Sequence, residues 1–272
     1  MRAHHSSTSD EKKREFPAWL AVTGPVARDL HTPGLPWFPG RWIGGACLIV
    51  APVLMLVGTP LRSPFHFFFP QQLAAQQQHP AVMAAAYACF ALGNVLLFPA
   101  VVTLCRGIVR TRPVWAYWGG TLVVLGLFTR AYHAGTDQIV FVLSGTRGVE
   151  SAGQLVADYY GAWGAMTWHP FRILGGATLA GWIVLAVGAW RSGVLRPLGA
   201  VSLALMSVHA FGTLKGTQVP VSILATGGLT VALVPVGVYL LRAGPGPTRK
   251  AIGWIVVTAS LLTLGALFGP RG

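Results

Sequence analysis

The chain has 272 residues, of which 53% are hydrophobic and only 10% are charged, and its formal net charge is +13. Soluble globular domains carry about 25% charged residues, so a surface this poor in charge indicates solvation by lipid. A spanning helix takes about 20 mostly apolar residues. The length therefore allows seven spans with short loops and excludes a second folded domain.

The first 40 residues are polar or Pro-rich and lack the apolar core of a cleavable signal peptide. We assign 1–40 to a cytoplasmic tail and 41–272 to a single transmembrane domain. The predicted fold is an all-α, polytopic membrane helix bundle of about seven transmembrane helices. Each span is bounded by Pro, Gly or charge: 42–60, 81–104, 114–132 (or 114–143 if the helix continues through Gly135), 172–190, 197–214, 219–241 and 251–269.

The distribution of basic residues predicts the orientation. With the N-terminus inside, 14 of the 20 basic residues fall in inner segments and six in outer ones. The positive-inside rule then places the N-terminus in the cytoplasm and the C-terminus outside. The net charge is therefore interpreted as a topology signal rather than as nucleic-acid binding. The Arg-, Ala- and Gly-rich composition suggests a bacterial protein of the inner (plasma) membrane.

Two long outer connections, 61–80 and 144–171, are expected to lie at the membrane interface. The first contains four closely spaced phenylalanines, and the second contains a stretch, 149–163, with apolar residues at helical spacing. That spacing is typical of an amphipathic helix lying on the membrane, with one face formed by Leu155, Val156, Tyr159, Tyr160 and Trp163. The two segments could form a lid over a site or could be simple interfacial anchors.

The candidate catalytic residues are Arg130, His133 and Asp137. Asp137 is the one carboxylate of the chain that falls within or at the edge of a predicted span. The three residues are at positions i, i+3 and i+7, on one face of a continuous helix. A carboxylate that orients a histidine, with an arginine balancing the charge, is suited to proton transfer. If the helix ended near Tyr132, the same residues would form a solvated rim.

Further polar residues at similar depth on the second to sixth spans are predicted to bind substrate in a cavity open to the outside. They are Tyr87, Asn94, Tyr132, His169, Arg172 and His209. Each also has a simpler interpretation, because polar side chains in membranes often hydrogen-bond between helices and basic ones at span ends extend to the interface.

Sequence motifs do not identify a reaction or a cofactor for this chain. The sequence contains no HExxH, GxGxxG or GxxxxGK[ST] motif, and its three cysteines have no metal-type or disulfide spacing. We predict neither a cofactor nor a metal, although His133 and Asp137 could be two metal ligands if His169 or His209 completed the set.

The functional hypothesis is an enzyme that acts on a lipophilic small molecule from the bilayer, for example by isoprenoid-type cyclisation or by isomerisation through proton transfer. The chain is similar in size and predicted helix number to small seven-span membrane cyclases of isoprenoids, but none of their acidic motifs is present. The alternatives are a small-molecule transporter and a binding or accessory membrane subunit. The expected partners are the lipid bilayer and a lipophilic small molecule, and the sequence does not specify the oligomeric state.

Overall fold

The computed structural model describes Thr23 and residues 37–161, 170–210, 219–243 and 246–268. Within these ranges the chain forms α-helices and a 3₁₀ helix, and the β-structure is limited to an isolated bridge between Thr23 and Leu195. The helices are α1 (Arg41–Arg62), α2 (Phe69–Gln78), α3 (Pro80–Val109), α4 (Pro113–Arg147), α5 (Val149–Gly161), α6 (Pro170–Arg191), α7 (Pro197–Ala204), the 3₁₀ helix (Leu205–Ala210), α8 (Val221–Arg242) and α9 (Arg249–Phe268). The prediction of an all-α fold is confirmed for this part of the chain.

Several of these helices have the length and composition needed to cross a membrane. Four are long and apolar enough: α1, α3, the Leu174–Arg191 part of α6, and α8. Two further apolar stretches, Pro197–Val208 and Ile252–Gly265, are shorter. α4 is long enough, with 35 residues, but it is not among these four helices because its polar residues lower its mean hydropathy. The helices are compatible with a multi-pass membrane protein.

The boundary of the third predicted span is resolved by α4. The helix runs without interruption from Pro113 to Arg147 and includes Gly135, which is exposed and has no neighbour within 4 Å of a built Cβ. Of the two alternatives that the sequence left open, the structure shows the helix that continues past Gly135, and an end near Tyr132 is excluded.

The fifth predicted span, 197–214, is shorter as an α-helix than expected. α7 ends at Ala204 and the chain continues as the 3₁₀ helix to Ala210. Residues 211–218 lie outside the described part of the chain.

Neighbouring long helices pack antiparallel through small residues. A Cβ built on Gly181 of α6 would lie 2.7 Å from the backbone nitrogen of Val123 on α4, and one on Gly119 would lie 2.8 Å from Leu185 Cα. Since lipid provides no hydrophobic drive between helices, such close backbone contact is what holds α4 against α6. By contrast, Gly176 has no neighbour within 4 Å of its built Cβ, so not every glycine pair of the sequence is a packing site.

Described residues from three of the segments predicted to be cytoplasmic lie close together at one end of the bundle, here called the Arg-rich end. The Arg106 guanidinium lies over the Trp37 ring, with 4.4 Å between Cζ and the ring centroid. Arg112 Nε donates a hydrogen bond to the carbonyl of Arg191 at 3.5 Å. The ends of α3 and α6 and the start of α4 therefore lie together, as alternating spans require.

The opposite end, here called the Phe-rich end, is closed by the two segments predicted to be interfacial. α2 and α5 pack on the C-terminal part of α4 through a separate apolar cluster of buried residues: Phe69, Leu73, Phe141, Ala152 and Val156. This cluster positions the candidate site described next.

Candidate functional site

A cavity of about 220 Å³ lies between α4 and α5 at the Phe-rich end. We call it the α4–α5 cavity. Its polar lining comes from α4 and includes His133 and Asp137, two of the three predicted catalytic residues. The complete lining is Phe69, His133, Thr136, Asp137, Ile139, Val140, Leu155, Val156 and Tyr159. An apolar space bordered by two ionisable side chains can hold a lipophilic molecule beside groups that exchange protons.

α5 forms one wall of this cavity because its sequence is amphipathic. Val156 is buried against the Phe-rich end, whereas Leu155 and Tyr159 are 47% and 43% exposed and border the cavity. These three residues belong to the apolar face predicted from the spacing. The side chains of Tyr160 and Trp163, predicted on the same face, lie outside the described residues.

α2 covers the same end from the other side. Phe69 and Leu73 are buried, and Phe69 packs against Phe141 with 5.7 Å between ring centroids. Gln77 Nε2 donates a hydrogen bond to the Ser144 carbonyl at 3.0 Å, which ties α2 to the end of α4. The Phe-rich segment after α1 therefore folds over the bundle instead of forming an open loop.

A buried group of charged side chains lies next to the cavity. Asp137 is only 8% exposed and interacts electrostatically with the guanidinium groups of Arg62 and Arg130 and with Tyr87. We call Arg62, Tyr87, Arg130 and Asp137 the charge cluster. It brings together residues from α1, α3 and α4, and Asp137 belongs both to the cluster and to the cavity wall.

The charge cluster is packed between aromatic rings. The Arg62 Cζ lies 4.6 Å from the centroid of the Tyr87 ring and 4.7 Å from that of Phe90. The Arg130 Cζ lies 5.3 Å from the same Phe90 ring. Cation–π contacts at these distances are attractive, and more so where water is excluded.

Arg62 is the important residue that the sequence did not reveal. It ends α1, and a basic residue at a span end normally extends to the interface. In the structure it is 1% exposed, and two rings of α3, those of Tyr87 and Phe90, lie against its guanidinium. No local pattern around Arg62 indicates these contacts, because both rings come from another helix.

The predicted substrate-binding residues divide into two groups. Tyr87 joins the charge cluster and contacts Phe141 edge-on at 4.7 Å. Asn94 instead donates a hydrogen bond from Nδ2 to the Leu127 carbonyl at 3.0 Å, and Tyr132 stacks on Phe171 at 4.7 Å. Neither Asn94 nor Tyr132 lines the α4–α5 cavity, and their role in substrate binding stays a prediction.

Three of the predicted substrate-binding residues fall outside the described part of the chain. They are His169 and, by their side chains, Arg172 and His209. The described cavity is formed by α4 and α5 together with Phe69, and a polar cavity enclosed by the second to sixth spans stays a prediction.

The cavity wall has four aliphatic side chains and two phenyl rings, which belong to Phe69 and Tyr159. This differs from the aromatic lining expected for an enzyme that stabilises carbocations through ring faces. Among the described residues, no three His, Cys, Asp or Glu side chains come together in a way that could hold a metal ion.

Comparison with protein-family models, curated proteins and solved structures finds no match to this chain.

Proposed function

We propose that this protein is an enzyme of a bacterial plasma membrane that binds a lipophilic small molecule in the α4–α5 cavity and isomerises it by proton transfer. The observation that carries the proposal is the joint lining of this mostly apolar space by His133 and Asp137. An isomerisation of this type adds a proton at one atom of the substrate and removes a proton from another, and it needs no co-reactant. Two proton-exchanging side chains on one wall meet that requirement.

His133 is the residue that we assign to direct proton exchange with the substrate, since histidine exchanges protons near neutral pH. Asp137 lies one helical turn further along α4 and serves as the second exchanging group. Arg130 is a positioning residue, because it acts on the substrate through Asp137, and Arg62 interacts electrostatically with the same carboxylate. A wall with only two phenyl rings, Phe69 and Tyr159, favours isomerisation over cyclisation through a long-lived carbocation.

The proposal includes the topology. Seven spans, with the Arg-rich end in the cytoplasm and the C-terminus outside, would place the α4–α5 cavity near the outer surface. α2 and α5 would then separate the site from water, and a lipophile would enter from the bilayer. The positive-inside distribution supports this arrangement.

The test is recovery of the protein in native lipid, followed by mass spectrometry of the small molecules that come with it and of the same molecules after incubation. We expect a bound lipophile that is converted to an isomer of equal mass. His133→Gln should abolish the conversion, whereas His79→Gln should leave it unchanged because His79 is exposed and lies outside the cavity. Exchange of a chemically unaltered ligand would indicate a transporter instead. If no ligand is recovered and a partner membrane protein co-purifies stably, the protein is an accessory subunit.

A further inference from the structure

The charge cluster carries more positive than negative charge. Arg62 and Arg130 face Asp137 as the one acidic member. The chain has seven acidic residues. Two of the others, Glu150 and Asp158, are exposed on α5, and the remaining four precede residue 30. The described part of the chain therefore supplies no second buried carboxylate to balance the second arginine.

One edge of the Arg62 guanidinium has no hydrogen-bond partner among the described residues. Its Nε and Nη2 atoms are buried and have no hydrogen-bond partner among the described residues. The Tyr87 hydroxyl lies near the guanidinium but lacks hydrogen-bond geometry with it and is itself without a partner there. Buried donors without partners are rare in native proteins and call for an explanation such as a bound ion or ligand.

The chemistry of this edge is specific. Nε and Nη2 lie on the same edge of the planar guanidinium group, and each directs an N–H bond outward from that edge, parallel to the other. This pair matches the two oxygens of a carboxylate or phosphate and binds them bidentately. A buried cation with this edge available is therefore built to receive an oxyanion.

We infer that the Arg62 edge binds the oxyanion of an amphiphilic substrate, a carboxylate or a phosphate, whose apolar part occupies the α4–α5 cavity. The oxyanion brings the cluster close to charge balance, with two arginines facing two anions. The Tyr87 hydroxyl, next to the guanidinium, supplies a third donor. This inference rests on the proposed function and specifies its substrate class.

Arg62 does not itself line the α4–α5 cavity. Asp137 is the residue that the cavity and the charge cluster share, since it lines the cavity and interacts electrostatically with Arg62. A substrate with its head group at Arg62 and its apolar part in the cavity would therefore pass beside Asp137.

The size of the cavity limits the apolar part. A cavity of about 150 Å³ accommodates benzene, so 220 Å³ corresponds to roughly nine carbon atoms by proportion, which is the length of the alkyl chain that decanoate carries beyond its carboxylate. Suitable probes are therefore decanoate, the uncharged 1-decanol, and inorganic phosphate alone.

The experiment measures binding of each probe to the full chain in lipid nanodiscs, by native mass spectrometry and by competition with labelled decanoate. We expect decanoate to bind about tenfold or more tightly than 1-decanol, which corresponds to the loss of a charge-assisted hydrogen bond. Competition by inorganic phosphate would show that the oxyanion alone is recognised, and its absence would show that the apolar chain is required. Both results support the Arg62 site and distinguish a soluble anion from an amphiphile.

Two variants test whether the preference for decanoate over 1-decanol depends on the Nε–Nη2 edge of the Arg62 guanidinium. Arg62→Lys keeps the charge and loses the bidentate edge, so the preference for decanoate should fall severalfold. Arg147→Gln removes an exposed arginine at the end of α4 and should leave the preference unchanged.

Two outcomes separate the inference from the proposed function. Equal binding of decanoate and 1-decanol by the wild-type chain would overturn the oxyanion site and leave the lipophile cavity standing. This comparison needs no variant, so it holds even if Arg62→Lys fails to fold. Binding of neither probe, with native lipophiles also absent, would remove the cavity proposal itself.

Discussion

Replacement of Asp137 by Asn is the most informative change, because it removes the carboxylate of the charge cluster and alters little else. Arg62 is 1% exposed and Asp137 is 8% exposed, so water cannot screen the arginines once the carboxylate is lost. Removing one partner of a buried ion pair costs about 3–5 kcal/mol, which is the upper limit for the loss of an electrostatic interaction such as that of Asp137 with Arg62. We expect Asp137→Asn to lower the free energy of unfolding by up to this amount.

The assay is a double-mutant cycle for unfolding in detergent micelles. The single variants Asp137→Asn and Arg62→Gln are compared with the double variant, in which one charge of each sign is removed. If the two side chains are coupled as the structure indicates, the double variant should be more stable than the sum of the single effects predicts, by about 1–3 kcal/mol. The matched control is Asp158→Asn, where the exposed carboxylate accepts a hydrogen bond from Gln154 Nε2 at 2.8 Å. This variant should stay within about 0.5 kcal/mol of the wild type.

Strict additivity of the two single variants would refute the coupling and, with it, the description of these residues as one cluster. The cycle also decides how loss of activity is interpreted. Asp137→Asn alone could inactivate the protein by unfolding it. A double variant that folds but does not convert substrate would assign the loss to the missing carboxylate.

Three further predictions concern packing and topology. Asn94→Leu removes a buried hydrogen bond to α4 and should lower the free energy of unfolding by about 0.6 kcal/mol. Ligand binding should not change, because Asn94 does not line the cavity, and a large loss of binding would contradict this. Gly181→Leu should separate α6 from α4 and destabilise the fold by at least the 1–3 kcal/mol typical of overpacking. Gly176→Ala should be tolerated, because a Cβ atom at this position would have no neighbour within 4 Å. Equal effects of the two variants in an unfolding assay would contradict the packing argument. A reporter fused after Arg110 should be cytoplasmic and one near Ser151 external, and the reverse result would invert the proposed orientation.

Part of the candidate site followed from the sequence. The spacing of Arg130, His133 and Asp137 placed them on one face of a helix, and the acidic residues were few enough to single out Asp137. These inferences use local periodicity and composition, which depend little on how helices are arranged. The cavity wall on α5 was also predictable in part, since the apolar face that contains Leu155, Val156 and Tyr159 is a local pattern.

The sequence by itself determined that the chain is helical and rich in stretches able to cross a membrane, because hydropathy and breaker residues act over a single segment. It left undecided whether α4 continues through Gly135, since one glycine weakens a helix without ending it. Only the tertiary structure decided that Asp137 is buried and that Asn94 serves helix packing. Only the tertiary structure revealed Arg62, because the rings against its guanidinium come from α3, and contacts between distant segments leave no periodic trace in the sequence.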